Sequence, residues 1–562
     1  MAGKQRIDGV VLWLCLLPFI AGSARGEDLE PWDPLVYTIL GTNLGFFGQA
    51  VTVLGDVDGD GIKDFAVTSA DRESAEEWGR IDLFSGRKGT LIRTWLGVST
   101  YLEASVLSLP DLDADGGPEL GLITGGKLHV LSPVTTRTWY TLDLPVPHGG
   151  ARATATLVPD LDDDGILEFA YGDWLAARGA GLARTGFLGL HSGRTGAAIW
   201  QLEGTRDLGL FGNPVIVSGD HDQDGKVDLL TAGALEGSED VSVSDARSVH
   251  VVSSGTGKIL RSFHPGSGQG RFGYAMASLG DRDGDGFPTV AISAPDFDKG
   301  LFGDRTGGHW GWVGIYHLPG FELERSFRGW DFAHKTFDGD QLGYRLSTAG
   351  DADGDGVLDL LMGTTRGDSF RRSTMGRLYL VSGATWEVLV GYEAFQYTFE
   401  EPHFGNVLPL DDLDGDGRDE FLVSHSLETF RRPAWEVFLG GAVRVLRYRS
   451  DGPRFIRGDT NGDARIDMTD VIRVAEAVFA APGDPPPECV AAHDLNADGR
   501  LDAHDVNHML GYLFINYLKQ PGTNHAPAPP FPACGQFALV DTTPYHTERP
   551  VLGCEDGGSC VD

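Results

Sequence analysis

Apolar residues recur in short alternating stretches from Leu35 to Tyr448, and successive stretches bracket an acidic turn. Val51 and Val53 precede the first turn and Phe65 and Val67 follow it, which is the period-two pattern of β-strands. A glycine-led third stretch comes next, seen as GRIDLFSG from Gly79, GFLGLHSG from Gly186 and GRLYLVSG from Gly376. After a short turn there is a fourth, as in TLIRTW and KILRSF. Four strands per unit, in seven units whose turns start 49 to 70 residues apart, predict a mainly β fold, a seven-bladed β-propeller. Parallel β-helices have much shorter repeats. LVYTIL, from Leu35, reads as a fourth strand able to close the ring on the last blade, although the last unit also offers one of its own at Ala442 to Tyr448.

The acidic turns share one ligand pattern, with acids at positions 1, 3 and 5, glycine nearly always at 6 and an acid usually at 9. A hard cation the size of calcium takes six to eight oxygens, and glycine permits the sharp bend. The first turn offers Asp56, Asp58, Asp60, the carbonyl of Ile62, and Asp64. The next three offer Asp111, Asp113, Asp115 and Glu119; Asp160, Asp162, Asp164 and Glu168; and Asp220, Asp222, Asp224 and Asp228. The fifth offers only Asp281, Asp283 and Asp285, because Thr289 holds position 9, and its site is expected to be the weakest. Asp351, Asp353, Asp355 and Asp359 form the sixth, and Asp412, Asp414, Asp416 and Glu420 the seventh. Recurrence at one phase separates these turns from ordinary solvated loops.

Beyond Asp451 the periodicity changes from strand to helix. GDTNGDARIDMTD places Asp459, Asn461, Asp463, the carbonyl of Arg465, Asp467 and Asp470 at positions 1, 3, 5, 7, 9 and 12 of an EF-hand-like loop. Thirty-five residues on, Asp494, Asn496, Asp498, the carbonyl of Arg500, Asp502 and Asp505 repeat it. Each loop runs into a helix with one apolar face, Val471, Val474, Ala475, Val478 and Phe479, then Val506, Met509, Leu510, Leu513 and Phe514.

Two family resemblances rest on these motifs. Phe-Gly pairs at Phe47-Gly48, Phe211-Gly212, Phe272-Gly273 and Phe404-Gly405 each stand before an acidic turn, so the region from about Leu35 to Ser450 resembles the FG-GAP repeats of integrin α-chain propellers. Units two, three and six depart from the pair, with Leu102-Glu103, Ala151-Arg152 and Leu342-Gly343. The paired half EF-hands, about Phe455 to Tyr517, resemble a type I dockerin, with Ala464 where the first loop would carry glycine. Aspartate rather than glutamate at position 12 fits dockerins better than calmodulin-like sensors. That resemblance implies docking onto a cohesin-like or other extracellular protein, and the FG-GAP resemblance implies a propeller that presents a ligand surface. Up to nine calcium ions are expected, seven in the propeller and two in the dockerin-like loops.

Charge and targeting narrow the setting. The formal net charge of −36 argues against nucleic acid or anionic membrane as partners. Lys4 and Arg6, an apolar run from Val10 to Ile20 and small residues near Ala24 read as a secretory signal, and no later stretch is long enough to span a bilayer. The expected organisation is a signal over residues 1–26, the propeller over 27–452, the dockerin-like pair over 453–518 and a Pro/Cys-rich tail over 519–562. Beyond the signal, Cys489, Cys534, Cys554 and Cys560 suggest two disulfides, with Cys489 to Cys534 and Cys554 to Cys560 as the expected pairing among three. Arg-Gly-Asp occurs at Arg366 to Asp368 and at Arg457 to Asp459; both read as chance triplets in a Gly/Asp-rich chain. No nucleophile elbow, HExxH, P-loop or dinucleotide fingerprint is present, so no catalytic residue is singled out. The expected function is a secreted calcium-binding adhesion or scaffold protein with a protein or glycan ligand. The alternative, a carbohydrate-active enzyme or lectin, rests only on the association of dockerins with polysaccharide breakdown.

Overall fold

Seven sheets, each built on four antiparallel strands and the sixth carrying one more, follow one another along the chain of the computed structural model, each entered by its innermost strand. The described residues are 35–41, 47–69, 79–96, 105–143 without 113, 114, 125 and 136, 153–205 without 162, 163 and 174–184, 211–297 without 234–247 and 265–269, 310–329, 341–395 without 365–373, and 406–448 without 426–428, 432–436 and 440. In the helical part they are 460, 468–480, 493, 501, 503–510 and 536–540. The signal segment, the four other cysteines and both Arg-Gly-Asp triplets lie outside them.

The first sheet runs Val51–Val53, Phe65–Ser69, Arg80–Phe84 and Leu91–Leu96 from inside outward. Innermost strands of neighbouring sheets touch all the way round, the last against the first, so the ring is closed. This geometry explains the apolar pattern. Every residue of Phe65–Ser69 is buried because sheets lie against both of its faces, whereas Leu91–Leu96 at the rim is partly or fully exposed throughout.

Closure resolves the ambiguity at the two ends of the propeller. The seventh sheet is ordered Val407–Pro409, Phe421–His425, Ala442–Leu446 and then Leu35–Leu40. The expected fourth strand at Ala442 to Tyr448 is therefore the third, and Leu35–Leu40 supplies the fourth, antiparallel with Leu40 opposite Ala442. A hairpin of Thr429–Arg431 and Val437–Leu439, outside the sheet, fills the link between the second and third strands.

The Phe-Gly pairs lock the inner strands in place. Phe47, Phe211 and Phe272 are buried, and Gly48, Gly212 and Gly273 donate backbone bonds to Thr68, Ala232 and Ser293 at 3.1, 3.1 and 2.8 Å. Gly212 has φ +98°, and a Cβ there would meet the Phe187 carbonyl oxygen at 2.0 Å, so no other residue fits. In the sixth unit buried Leu342 takes the place of phenylalanine, and Gly343 keeps the bond, to Gly363 at 3.1 Å.

Outer strands are tied to the next sheet by polar groups. The hydroxyls of Tyr37 and Tyr140 donate to the carbonyls of Gly86 and Gly193, both at 2.5 Å, and Trp200 Nε1 donates to Ser254 at 2.6 Å. At the seam between sheets five and six the direction reverses, and Trp386 Nε1 reaches back to Glu324 Oε1 at 2.8 Å. These rings act as seam packing with a satisfied polar tip.

Candidate metal centres

Each acidic turn joins the innermost strand to the second strand, so all seven lie on one face of the ring. The first shows how the sequence folds locally. Asp56 at position 1 turns its carboxylate into the loop, where it accepts from the backbone N–H of Gly59 (2.7 Å), Asp60 (3.1 Å) and Gly61 (2.7 Å). Asp60 at position 5 accepts from the N–H of Ile62 at 3.2 Å. Gly59 and Gly61 have φ +79° and +89°, the left-handed conformation this tight wrapping needs. Ile62 also drives its side chain into the core.

The acid at position 9 opens the second strand and is buried. Asp64 accepts through Oδ2 from the N–H of Val57 (2.8 Å) and Asp58 (3.2 Å), and through Oδ1 from Gly86 (3.0 Å) in the turn after the third strand. Glu119, Glu168, Asp228 and Glu420 repeat the bond to the N–H of position 2, from Leu112, Leu161, His221 and Leu413 at 2.5 to 2.7 Å. Asp359 accepts instead from the N–H of position 3, Asp353, at 3.0 Å, and from Gly383 at 2.8 Å, as Asp64 does from Gly86. Burial pushes the carboxyl of Asp228 up to about 6 and those of Asp359 and Glu420 up to about 7, with neighbouring loop acids adding to it and backbone donors opposing it. A divalent cation at the loop centre would reverse that balance.

Among the described residues, oxygens of Asp56, Asp58 and Asp64 lie within 4.8 Å of one another, as do those of Asp111, Asp115 and Glu119, and of Asp220, Asp222 and Asp228. So do those of Asp281, Asp283 and Asp285, and of Asp351, Asp353 and Asp355. Asp113 and Asp162 lie outside the described residues. Asp160 and Asp412 accept from their loop N–H groups as Asp56 does, Asp160 from Gly165 (2.7 Å) and Asp412 from Gly415 (2.6 Å) and Gly417 (2.8 Å). The arrangement suits a hard cation held by carboxylates.

Loop five is built differently. Thr289 is buried and its hydroxyl lies 3.4 Å from His317 Nδ1. Arg282, at position 2, and His317 both meet Glu324 Oε2 at 3.1 Å, and the Arg282 guanidinium stacks 4.4 Å from the Trp386 ring. A basic knot thus stands at the seam beside this loop.

Several contacts between loops were not legible in the ligand pattern. Lys63 Nζ pairs with Asp411 Oδ1 at 2.6 Å, bridging the first and last loops. Asp419 Oδ2 accepts from the N–H of Asp351 at 3.0 Å, and the Asp419 N–H donates to the Asp351 carbonyl at 3.0 Å. The only signal for Asp419 is an extra acid at position 8, adjacent to Glu420.

In the helical part, α1 (Met468–Val478) and α2 (Ala503–Leu510) begin with Asp470 and Asp505 in their first turns, and both acids are buried. Asp470 Oδ1 accepts from the Thr460 N–H (2.8 Å) and hydroxyl (3.1 Å). Val471, Val474 and Met509 form the core between the helices, with Val478, Leu501, Val506 and Leu510 against it. Phe479 is not part of that core. It is 72% exposed, and with Met468 (45%) and Ile472 (53%) it makes a second apolar stripe beside the buried one. Asp459, Asn461, Asp463, Arg465, Asp467, Asp494, Asn496, Asp498, Arg500 and Asp502 lie outside the described residues.

Comparison with known proteins agrees with both halves of this picture. Residues 457–514 match the family model of the dockerin type I domain. Integrin alpha-E of Homo sapiens is 34% identical over 180 residues, covering 31% of this chain and 15% of that one. Integrin alpha pat-2 of Caenorhabditis briggsae is 26% identical over 156 residues, covering 28% of this chain and 11% of that one. The matched stretch is thus a small part of those relatives. A crystal structure of BBS1N in complex with ARL6DN, soaked with lead, aligns over 75% of this chain and 94% of that chain at a TM-score of 0.39 and 10% identity. The chain combines an integrin-α-like seven-bladed propeller region with a dockerin type I region at residues 457–514.

Proposed function

We propose that this chain is an extracellular attachment protein, stabilised by calcium, in which the dockerin region docks a cohesin-type partner and the propeller presents a surface to a protein or glycan ligand. The observation that carries the reading is the pairing of buried position-12 acids, Asp470 and Asp505, with an exposed apolar stripe of Met468, Ile472 and Phe479. Large apolar side chains exposed in a row on a short helix are what a docking partner covers. Among the described residues no helix is long and apolar enough to cross a membrane. We place the propeller at 27–452, the docking pair at 453–518 and the tail at 519–562.

The test is capture of a purified type I cohesin domain by the full chain. Ile472→Asp and Phe479→Asp should each weaken capture at least tenfold, because each puts a charge in a desolvated contact. Wild-type affinity in both variants would remove α1 from the interface.

In the propeller, the seven loops would hold calcium through the acids at positions 1, 3, 5 and 9. Loop five, with Thr289 at position 9 and Arg282 nearby, would bind most weakly. In a calcium titration followed by native mass spectrometry, Thr289→Asp should add a tighter site. An unchanged binding profile would show that position 9 does not set affinity there.

A further inference from the structure

The sixth sheet differs from the other six in having a fifth strand. Gln536–Val540 lies parallel to Val388–Phe395, in register from Val390 opposite Gln536 to Ala394 opposite Val540. Outer strands are open edges that proteins usually guard with charge. Arg93, Asp143, Glu203 and Arg261 stand in the outer strands of the first four sheets, and Glu322–Arg328 of the fifth carries four charges. Leu35–Leu40 of the seventh is uncharged. VLVGYEAF of the sixth carries one charge over eight residues, the longest outer strand of the seven, and its Val390, Gly391 and Tyr392 are buried where the rim strands of the second and third sheets alternate with exposed positions. Length and burial, not charge, set this edge apart, and it is the one that carries an added strand.

We propose that the outer edge of the sixth sheet is a receptor for residues 536–540 of the same chain, and that this strand clasps the docking module to the propeller. A parallel pair requires a long crossover. Here the crossover is the dockerin region itself, which leaves the seventh sheet after Leu446 and returns to the sixth at Gln536. The module is therefore held at both ends on neighbouring sheets, and a docked partner is carried at one sector of the rim instead of on a free leash.

Hydrogen exchange on the full, calcium-loaded chain tests this. Peptides covering 388–395 and 536–540 should both exchange at least tenfold more slowly than unstructured chain, independently of protein concentration. The double variant Phe537→Pro and Ala538→Pro removes two adjacent N–H groups, one of which must face the sheet whichever way the strand is pleated. It should release both peptides together while leaving 322–328, the outer strand of the fifth sheet, unchanged. Ala538→Val, which keeps the N–H, should retain protection. Free exchange of 536–540 in the wild type, unaltered exchange of 388–395 in the double variant, or protection that appears only as concentration rises and copies exchange strands would each overturn the clasp.

Discussion

Chelating calcium is expected to lower the melting temperature of the full chain by about 10 °C or more at pH 7.5. A ligand present at 100 times its dissociation constant stabilises the folded state by about 2.7 kcal/mol per site. One kcal/mol moves the midpoint of a large domain by about 2–4 °C, so three filled loops suffice. The effect has a definite pH dependence. The folded, ion-free carboxyls of Asp228, Asp359 and Glu420 are raised to about 6, 7 and 7, above their unfolded values near 4. Their contribution to the ion-free chain is thus fully present below pH 4 and lost as pH rises through 6 to 7. Calcium requires the deprotonated form, so its stabilisation grows over that range. Differential scanning calorimetry at pH 5 and 7.5, in calcium and in chelator, would show the gap widening with pH. Equal gaps would mean that the buried ninth-position acids are not ligands.

The second large effect is expected in the docking module. Asp470→Ala or Asp505→Ala should unfold it, abolishing cohesin capture while the propeller keeps its own transition. A single core of this size rarely supplies more than ~3–5 kcal/mol, and here it rests on Val471, Val474 and Met509 with four partly buried neighbours. Removing either acid would withdraw the metal ligand proposed at that position and a favourable charge at a helix start together. Limited proteolysis of the full chain would show cleavage confined to 453–518. A module that resists protease in both variants would show that its loops do not hold it together.

The blade count was legible because the same acidic turn recurs at one phase between the first and second strands of every unit. Closure of the ring was not legible. LVYTIL and AVRVL are both plain apolar strands, and only the pairing of Ala442–Leu446 between Phe421–His425 and Leu35–Leu40 shows that it is the third. Periodicity placed Phe479 with Val471 and Val474, but α1 ends at Val478 and α2 covers only the neighbouring stripe. Spacing along a helix tells which residues share a side, not how wide a side the partner covers. Contacts such as Lys63 to Asp411 join residues 348 apart, and no local pattern encodes them.

The most direct measurement is calorimetric titration of the full chain with a purified type I cohesin domain, in millimolar calcium and again in chelator. Saturable one-to-one binding in calcium and none in chelator is the expected result. Equal binding in both, or no binding in calcium, would contradict the account.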